Sequence, residues 1–323
     1  MGRVRHRVVD TLASLKLVAV YDPRATGNSE NGLRFTSNLS ELLSLELDAL
    51  IVCVPNNEAA RCVIAGLESG LHVFCEKPPG RNMDEIAAVL RVAKSRPHQK
   101  LMYGFNHRRH GSVQKALEIK NSGVLGNLLS LRGIYGKPGW DVEDWRTERR
   151  LSGGGILLDQ GIHMVDLLRL FAGEFSQVQS HIFATAKDAE VEDNAFALMR
   201  TDAGIVAMLH SSATETRPRF HLELNLEQGT LRLDGILSES GKYAPESLVV
   251  SGAVNEEFVF TVDNSFTAEL CSFRDAVHND SELVWGGAED AYKSMKLVYQ
   301  IYCADPSWRN RYGLSADPLE GRP

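Results

Sequence analysis

The sequence predicts an α/β protein in two parts: a doubly wound parallel sheet, then an α+β domain built on an open, mainly antiparallel sheet. Three observations carry this prediction. Up to residue 108, short continuous apolar runs alternate with stretches of helical periodicity, the pattern of parallel strands joined by crossover helices. From Gly126 onward, period-two alternation replaces that rhythm. Two amphipathic stretches, 266–277 and 288–302, then read as helices that return to pack on the first half.

Taken in order, residues 3–12 read as a helix, and the apolar run 15–20 is a buried strand ending in Tyr21-Asp22-Pro23. A short strand follows at 33–36, then a capped helix over 37–43 with Glu41 near its first turn. The run 48–54 is a strand closed by Pro55-Asn56-Asn57; a helix over 58–68 ends at Gly70, and 72–76 is the next strand. Residues 83–93 repeat at helical spacing, and 101–105 form a further strand. In the second part, strands are expected at 128–135, 177–184, 194–200, 206–212 and 220–226. Gln228-Gly229 turns into a strand at 231–233, and 248–260 holds two more. The expected division is 1–108, 109–305, and a loosely held tail over 306–323, which is polar and rich in Pro, Gly and Arg.

The chain has 323 residues and a formal net charge of -7, enough material for two cores. A modest acidic excess without a basic stripe argues against nucleic acid as a partner. The apolar runs are far too short to cross a bilayer, and no secretory leader is legible at the N-terminus. Cys53, Cys62, Cys75, Cys271 and Cys303 are scattered and odd in number, which reads as reduced thiols in a cytoplasmic protein; no cluster suggests a metal.

Two stretches stand out from this background. Cys75-Glu76-Lys77-Pro78 puts a carboxylate and an ammonium at the mouth of a buried strand, at the carboxyl end where open α/β sheets bind ligands. The stretch from Gly153 carries Asp159, His163 and Asp166 at helical spacing, so the chain reads as a device for bringing Lys77 and His163 together.

The front of the chain departs from the usual pattern. A dinucleotide-binding Rossmann unit opens with a strand, a glycine-rich turn and a helix, and about 20 residues past the turn an acid takes the ribose hydroxyls. Asp22 stands where that acid belongs, counted from Gly2, although it could equally be a turn residue before Pro23. Gly2 is the one glycine of the fingerprint, and no strand precedes it. That first strand would lie between the strands ending at Asp22 and Val54, and each buried backbone group left unpaired there costs about 1 to 3 kcal/mol. Two expectations compete: a copy of a longer chain that begins with the strand and its glycines, or a short form with a lost or remodelled cofactor site.

With Gly153-Gly154-Gly155, Gly161 and the residues above, the chain resembles the Gfo/Idh/MocA oxidoreductases, whose type members act on sugars and inositols. Tyr21-Asp22-Pro23, Pro55-Asn56, Gly104-Phe105-Asn106-His107-Arg108 and Trp145-Arg146 are further parallels. Glu-Lys-Pro alone is a weak signal; in this order and spacing with the glycine, Asp and His stretch it is strong, and the resemblance covers nearly the whole chain. It departs in the missing first strand and glycines, and in Ala59, where many members carry a histidine. The resemblance implies an N-terminal Rossmann domain, a C-terminal α+β domain, a nicotinamide cofactor in the cleft, a carbohydrate substrate, and oligomerisation as a dimer or tetramer through the open sheet.

For the oxidation of a secondary alcohol that the resemblance implies, His163 suits the base because an unperturbed imidazole titrates near 6.5. Asp159, one helical turn earlier, could orient it, and Lys77 would donate to the reacting oxygen. As an isolated pair, Asp159 and His163 would read as a surface helix pair; the apolar residues around them put the pair on a buried helix instead. The cofactor side comprises Gly2, Asp22, Pro55, Asn56, Glu76, Lys77 and Asn106. NAD is favoured over NADP because Asp22 is present, although Arg24 leaves NADP open. Tyr135, Trp140, Trp145 and Arg146 are candidate substrate contacts, with rim packing as the equal alternative; His210 and His221 read as structural. The expected activity is an NAD(P)-dependent dehydrogenase of a sugar, sugar nucleotide or polyol. The alternatives are a dinucleotide- or sugar-sensing regulator without turnover, and a redox-cycling glycosidase.

Overall fold

The computed structural model describes residues 1–25, 33–139, 144–236 and 245–315. Helix α1 (Gly2–Thr11) opens the chain, and β1 (Ala19–Tyr21) pairs in parallel with β2 (Arg34–Thr36). After α2 (Leu39–Leu43), β3 (Ala49–Val52), α3 (Asn56–Glu68), β4 (His72–Glu76), α4 (Met83–Ser95) and β5 (Leu101–Gly104) build a second parallel sheet, ordered β3-β4-β5. No ladder joins β1 to β3 among the described residues, so the parallel sheet is in two pieces. The break falls between the strands that lead to Asp22 and to Val54.

The local reasons are visible. β4 is covered on both faces, with Val73 and Phe74 fully buried, which is why its sequence is a continuous apolar run rather than an alternating one. α4 starts where Asn82 Oδ1 accepts from the Glu85 amide at 2.9 Å, an N-cap that satisfies one orphan donor. α1 packs on this sheet through Val8 and Val9, which share a cluster with Phe74, Met102, Leu270 and Phe273.

The second domain contains α5 (Gly111–Ser122), β6 (Leu128–Pro138), the single turn α6 (Arg149–Ser152), α7 (Ile162–Ala172), β7 (Phe175–Phe183), β8 (Asn194–Thr201), β9 (Val206–Ser212), β10 (Thr214–Leu226), β11 (Gly229–Asp234), β12 (Glu246–Gly252) and β13 (Glu256–Phe260). The strands form one sheet ordered β13-β12-β11-β10-β6-β9-β8-β7, antiparallel except for the parallel β6–β9 pair. Along β8, Ala195, Ala197 and Met199 turn inward, while Phe196 and Leu198 turn outward and are exposed. Leu129, Phe183 and Met208 are exposed too.

Helices α8 (Ser265–His278) and α9 (Ala288–Ala304) return to the first half: α8 packs on α1, and α9 packs on α4, α7 and β7. Between the domains, Arg108 forks onto Asp166 with two contacts of 2.6 Å and reaches Asp290 at 2.6 Å, while Ser294 Oγ donates to Asp166 at 2.9 Å. Asp166 is thereby fully buried and serves the domain junction.

The loosely held tail expected over 306–323 starts with regular structure, and its last residues, 316–323, lie outside the described residues. Pro306–Arg311 is a helix, α10, capped by Asp305 Oδ1 accepting from the Trp308 amide at 2.9 Å. Asp305 Oδ2 also accepts from the Ile182 amide at 2.8 Å, and Trp308 is 3 % exposed. One aromatic anchor and a Pro-initiated turn hold a segment whose overall polarity suggested none. Smaller differences lie at element ends: β1 is shorter than the run 15–20, α3 starts at Asn56, and β10 begins at Thr214.

Candidate active site

Lys77 leaves the end of β4 and crosses to the second domain. Its Nζ donates to the Asp159 backbone carbonyl at 2.6 Å and lies 3.3 Å from Asp159 Oδ1. Asp159 sits in a π-helical turn, Leu157–Gly161, immediately before α7. The triple glycine makes that turn possible. Gly153 has φ +85°, and a Cβ on it would strike the Arg81 backbone; a Cβ on Gly155 would strike the Glu192 carbonyl. Glu192, fully buried, then clasps the start of the turn, accepting from the amides of Gly155 (2.9 Å) and Leu157 (3.0 Å) and from Tyr302 OH (2.7 Å).

The Asp159 carboxylate is surrounded by cations. Besides Lys77, Lys137 Nζ approaches Oδ2 at 3.7 Å and Arg146 Nε approaches Oδ1 at 3.8 Å. Burial pushes the carboxyl up, but these three cations outweigh it and hold Asp159 at about 2. Burial also lowers the Lys137 ammonium below its ordinary value, and Arg146 and Lys77 act in the same direction.

His163 is 2 % exposed. Burial pulls its pKa well below 6.5, and Lys77 adds to that pull; Asp159 opposes it, and His110 adds a smaller downward effect. The ring is therefore neutral near pH 7, the form a base needs. No hydrogen bond joins it to Asp159 among the described residues, and its Nδ1 has no partner. Asp159, in the π turn, is held by Lys77. His163 instead stacks on His107, with centroids 3.9 Å apart and planes at 26°.

The remaining expected residues are placed as follows. Tyr135, on β6 and 2 % exposed, packs its ring 6.4 Å from His163 and 5.4 Å from His107. Arg146 stacks on Trp145 at 4.5 Å and pairs with Asp144 at 3.1 Å, at the edge of the Asp159 cluster. Trp140 lies outside the described residues. Asp22 directly follows β1, its carboxyl lowered chiefly by the Arg24 backbone amide at 2.9 Å. Pro55 caps α3, and Asn56 donates to the Ser152 carbonyl at 2.8 Å. Glu76 is bound by Arg5 Nε at 2.6 Å, and Asn106 donates to Ser265 Oγ at 3.0 Å. Gly2 begins α1 beside β3, where a Cβ would meet Cys53 Cβ at 3.9 Å. His210 stacks on Phe196 at 3.9 Å, and His221 Nδ1 lies 2.7 Å from Asp234 Oδ1.

Sequence reading gave no site role to four contributors: His107, which it quoted only within the Gly104–Arg108 parallel, Lys137, Glu192 and Arg5. Glu192 and Arg5 had no local signal, since their partners lie 35 or more positions away. His107 and Lys137 had one: each is a titratable residue beside a singled-out neighbour, Asn106 for the first and the β6 strand of Tyr135 for the second. A surface cavity of about 680 Å³ opens elsewhere, lined by Leu90, Arg108, Arg169, Trp285 and Asp290 among others, and none of Lys77, Asp159 or His163 lines it.

Comparison with known proteins places the chain among relatives. Residues 1–105 match the model of an oxidoreductase family with an NAD-binding Rossmann fold, and residues 113–232 match the GFO/IDH/MocA C-terminal domain. The chain is 29% identical over 174 residues to levoglucosan dehydrogenase of Pseudarthrobacter phenanthrenivorans, covering 51% of this chain and 44% of that one. It is 34% identical over 185 residues to D-glucoside 3-dehydrogenase of Escherichia coli, covering 54% and 52%. These matches thus span about half the length of either relative. Among solved structures, an oxidoreductase domain protein from Kribbella flavida superposes with TM-score 0.83 at 18% identity, covering 95% of this chain and 94% of that one, a likeness of fold.

Proposed function

Because the chain belongs to the GFO/IDH/MocA oxidoreductase family, we propose that it oxidises a secondary alcohol of a sugar, sugar nucleotide or polyol, or runs the reverse reduction. The observation that carries this reading is the convergence of Lys77, from the first domain, with Asp159 and a neutral His163, from the second. In the oxidising direction the neutral imidazole of His163 takes the hydroxyl proton, and the Lys77 ammonium stabilises the developing alkoxide. The Asp159 backbone carbonyl aims Lys77, and the carboxylate, kept ionised by its three cations, balances its charge. Tyr135, Trp145, Arg146 and Lys137 wall the side where the carbohydrate would lie.

A bound nicotinamide dinucleotide would supply the hydride acceptor as the C–H bond breaks. The residues at the carboxyl edge of the parallel strands fit such a group. The N-terminus of α1 at Gly2 lies beside β3 and suits a diphosphate, and the Asp22 carboxylate suits ribose hydroxyls. Pro55 and Asn56 at the start of α3, with Lys77, form the remaining edge, braced from behind by Glu76 on Arg5 and Asn106 on Ser265. NAD is the better fit than NADP, because Asp22 would repel a 2′-phosphate and already engages Arg24. We also assign the exposed apolar face of the eight-stranded sheet to contact with further copies of the chain. Five free thiols support a reducing cytosol, and no described helix is long and apolar enough to cross a membrane.

The reading is tested by titrating the protein with NADH and NADPH by fluorescence, then following cofactor reduction across a panel of sugars and polyols. Binding with turnover, lost in His163→Ala while binding persists, supports it. No dinucleotide binding overturns it, and binding without turnover favours the sensing alternative.

A further inference from the structure

Resting on that reading, we propose that His107 is the positioning residue for the base His163: its ring is the platform that fixes the plane in which His163 faces the substrate. The argument begins with what His163 lacks. A catalytic imidazole is commonly held by a hydrogen bond from one ring nitrogen to a carboxylate or carbonyl. Here Nδ1 of His163 has no partner, and Asp159 is turned toward Lys77. Without a second constraint, the ring would rotate about its χ2 torsion, which is broad for such sp³–sp² bonds.

The constraint present is the stack on His107, at 3.9 Å and 26°. His107 is itself fully buried and walled in by Tyr135 at 5.4 Å, His110 at 5.4 Å and Phe220 at 5.8 Å. Its Nδ1 lies 3.3 Å from Asn106 Oδ1, and Asn106 is anchored on Ser265 of α8. Moreover, the segments bearing the two rings are bolted together one step further on. Arg108 follows His107, Asp166 lies three residues past His163 on α7, and these two form the bidentate 2.6 Å pair. Stack and ion pair are successive rungs between one 3-10 turn, Asn106–Arg109, and one helix.

The charge environment keeps the platform neutral. His107 is faced by His163, His110 and Lys77, all of which, with burial as the leading cause, disfavour its protonation. His163 is faced by Lys77, Asp159, His107, His110 and Tyr135; behind His110 stand Glu246 at 3.4 Å and Asp263 at 4.0 Å. Phenylalanine would keep a flat ring against His163 while losing the Nδ1 contact to Asn106, whereas a methyl group would leave His163 free to turn.

The test compares His107→Ala with His107→Phe, reading kcat and KM separately and titrating the His163 imidazole by NMR, which needs no turnover. In His107→Ala, kcat is expected to fall about 100-fold with little change in KM, as for a misplaced catalytic group. The His163 titration is expected to rise toward the ordinary 6.5 as water enters, and His107→Phe is expected to recover most of both losses. Wild-type kcat and an unmoved His163 titration in a folded His107→Ala would overturn the proposal, as would a folded His107→Phe as impaired as the alanine variant. If His163→Ala keeps wild-type turnover, the base assignment itself fails, while the NMR titration still reports on the stack.

Discussion

Lys77 and Asp159 are joined across the domain junction by two contacts of different kinds, a 2.6 Å bond to the backbone carbonyl and a 3.3 Å approach to the carboxylate. The first depends only on where the π turn runs; the second depends on charge. Lys77 is thus aimed by main-chain geometry, and the carboxylate supplies counter-charge that Lys137 and Arg146 share.

Replacing Lys77 by Met removes the donor to the reacting oxygen but leaves the dinucleotide edge largely intact. We expect kcat to fall by about 100-fold or more, as for loss of an oxyanion donor, and NADH affinity to fall by a much smaller factor, since Gly2, Asp22, Pro55 and Asn56 remain. Steady-state kinetics beside a fluorescence titration checks both halves.

The acid limb of the pH profile should report His163. Burial and Lys77 depress its pKa, so the neutral base persists below pH 6.5, and log kcat for oxidation should rise with an apparent pKa under that value and then level off. A limb above 6.5 that is insensitive to His163 substitution would reassign the base.

Glu269 offers a stability test away from the chemistry. It shares Arg5 with Glu76, accepting from Nη2 at 2.7 Å, and burial raises its pKa from 4.5 to about 7. The native state holds that proton more tightly than the unfolded chain, so its stabilising effect is full below pH 4.5 and is lost as pH rises through about 7. Glu269→Gln, which can still accept from Arg5, should remove this decline. The Tm difference between variant and wild type should therefore grow in the variant's favour between about pH 5 and about pH 8.

Removing the Glu192 clasp should unsettle the whole active segment. Glu192→Ala strands two amides and the Tyr302 hydroxyl in a buried place, costing about 3 kcal/mol or more, and should lower Tm and kcat together. Thermal unfolding by circular dichroism measures the first effect.

The outer face of the large sheet gives a fifth test. Leu198 is 51 % exposed and lies beside Phe196, so Leu198→Glu should shift the protein toward monomers in light scattering after size exclusion. A wild-type protein that is already monomeric at working concentration would remove the proposed contact.

Legibility in the sequence followed the range of the interaction. Buried strands such as β4 and helices such as α4 and α9 carry their signal within a dozen residues, in periodicity and caps, and they appeared close to where they were expected. Asp159 and Asp166 were singled out by the same helical spacing, yet one faces Lys77 and the other Arg108. Spacing assumes a regular α-helix, whereas Asp159 sits in a π turn and Asp166 in the α-helix that follows. The helix after Asp305 was missed because what holds it is the burial of Trp308 and the bond from the Ile182 amide to Asp305, and composition carries no trace of either.

By itself, then, the chain's sequence determined the two-part α/β architecture, the lysine at a strand end, and the glycine-rich stretch ahead of His163, because these are written in local patterns and in motif order. Only the tertiary structure decided which groups meet: Asp159 on Lys77, Lys137 and Arg146, His163 on His107, Glu76 on Arg5. Those pairings depend on burial and on contacts between residues far apart in the chain, and for buried polar groups it is the partner across space that sets charge state and orientation.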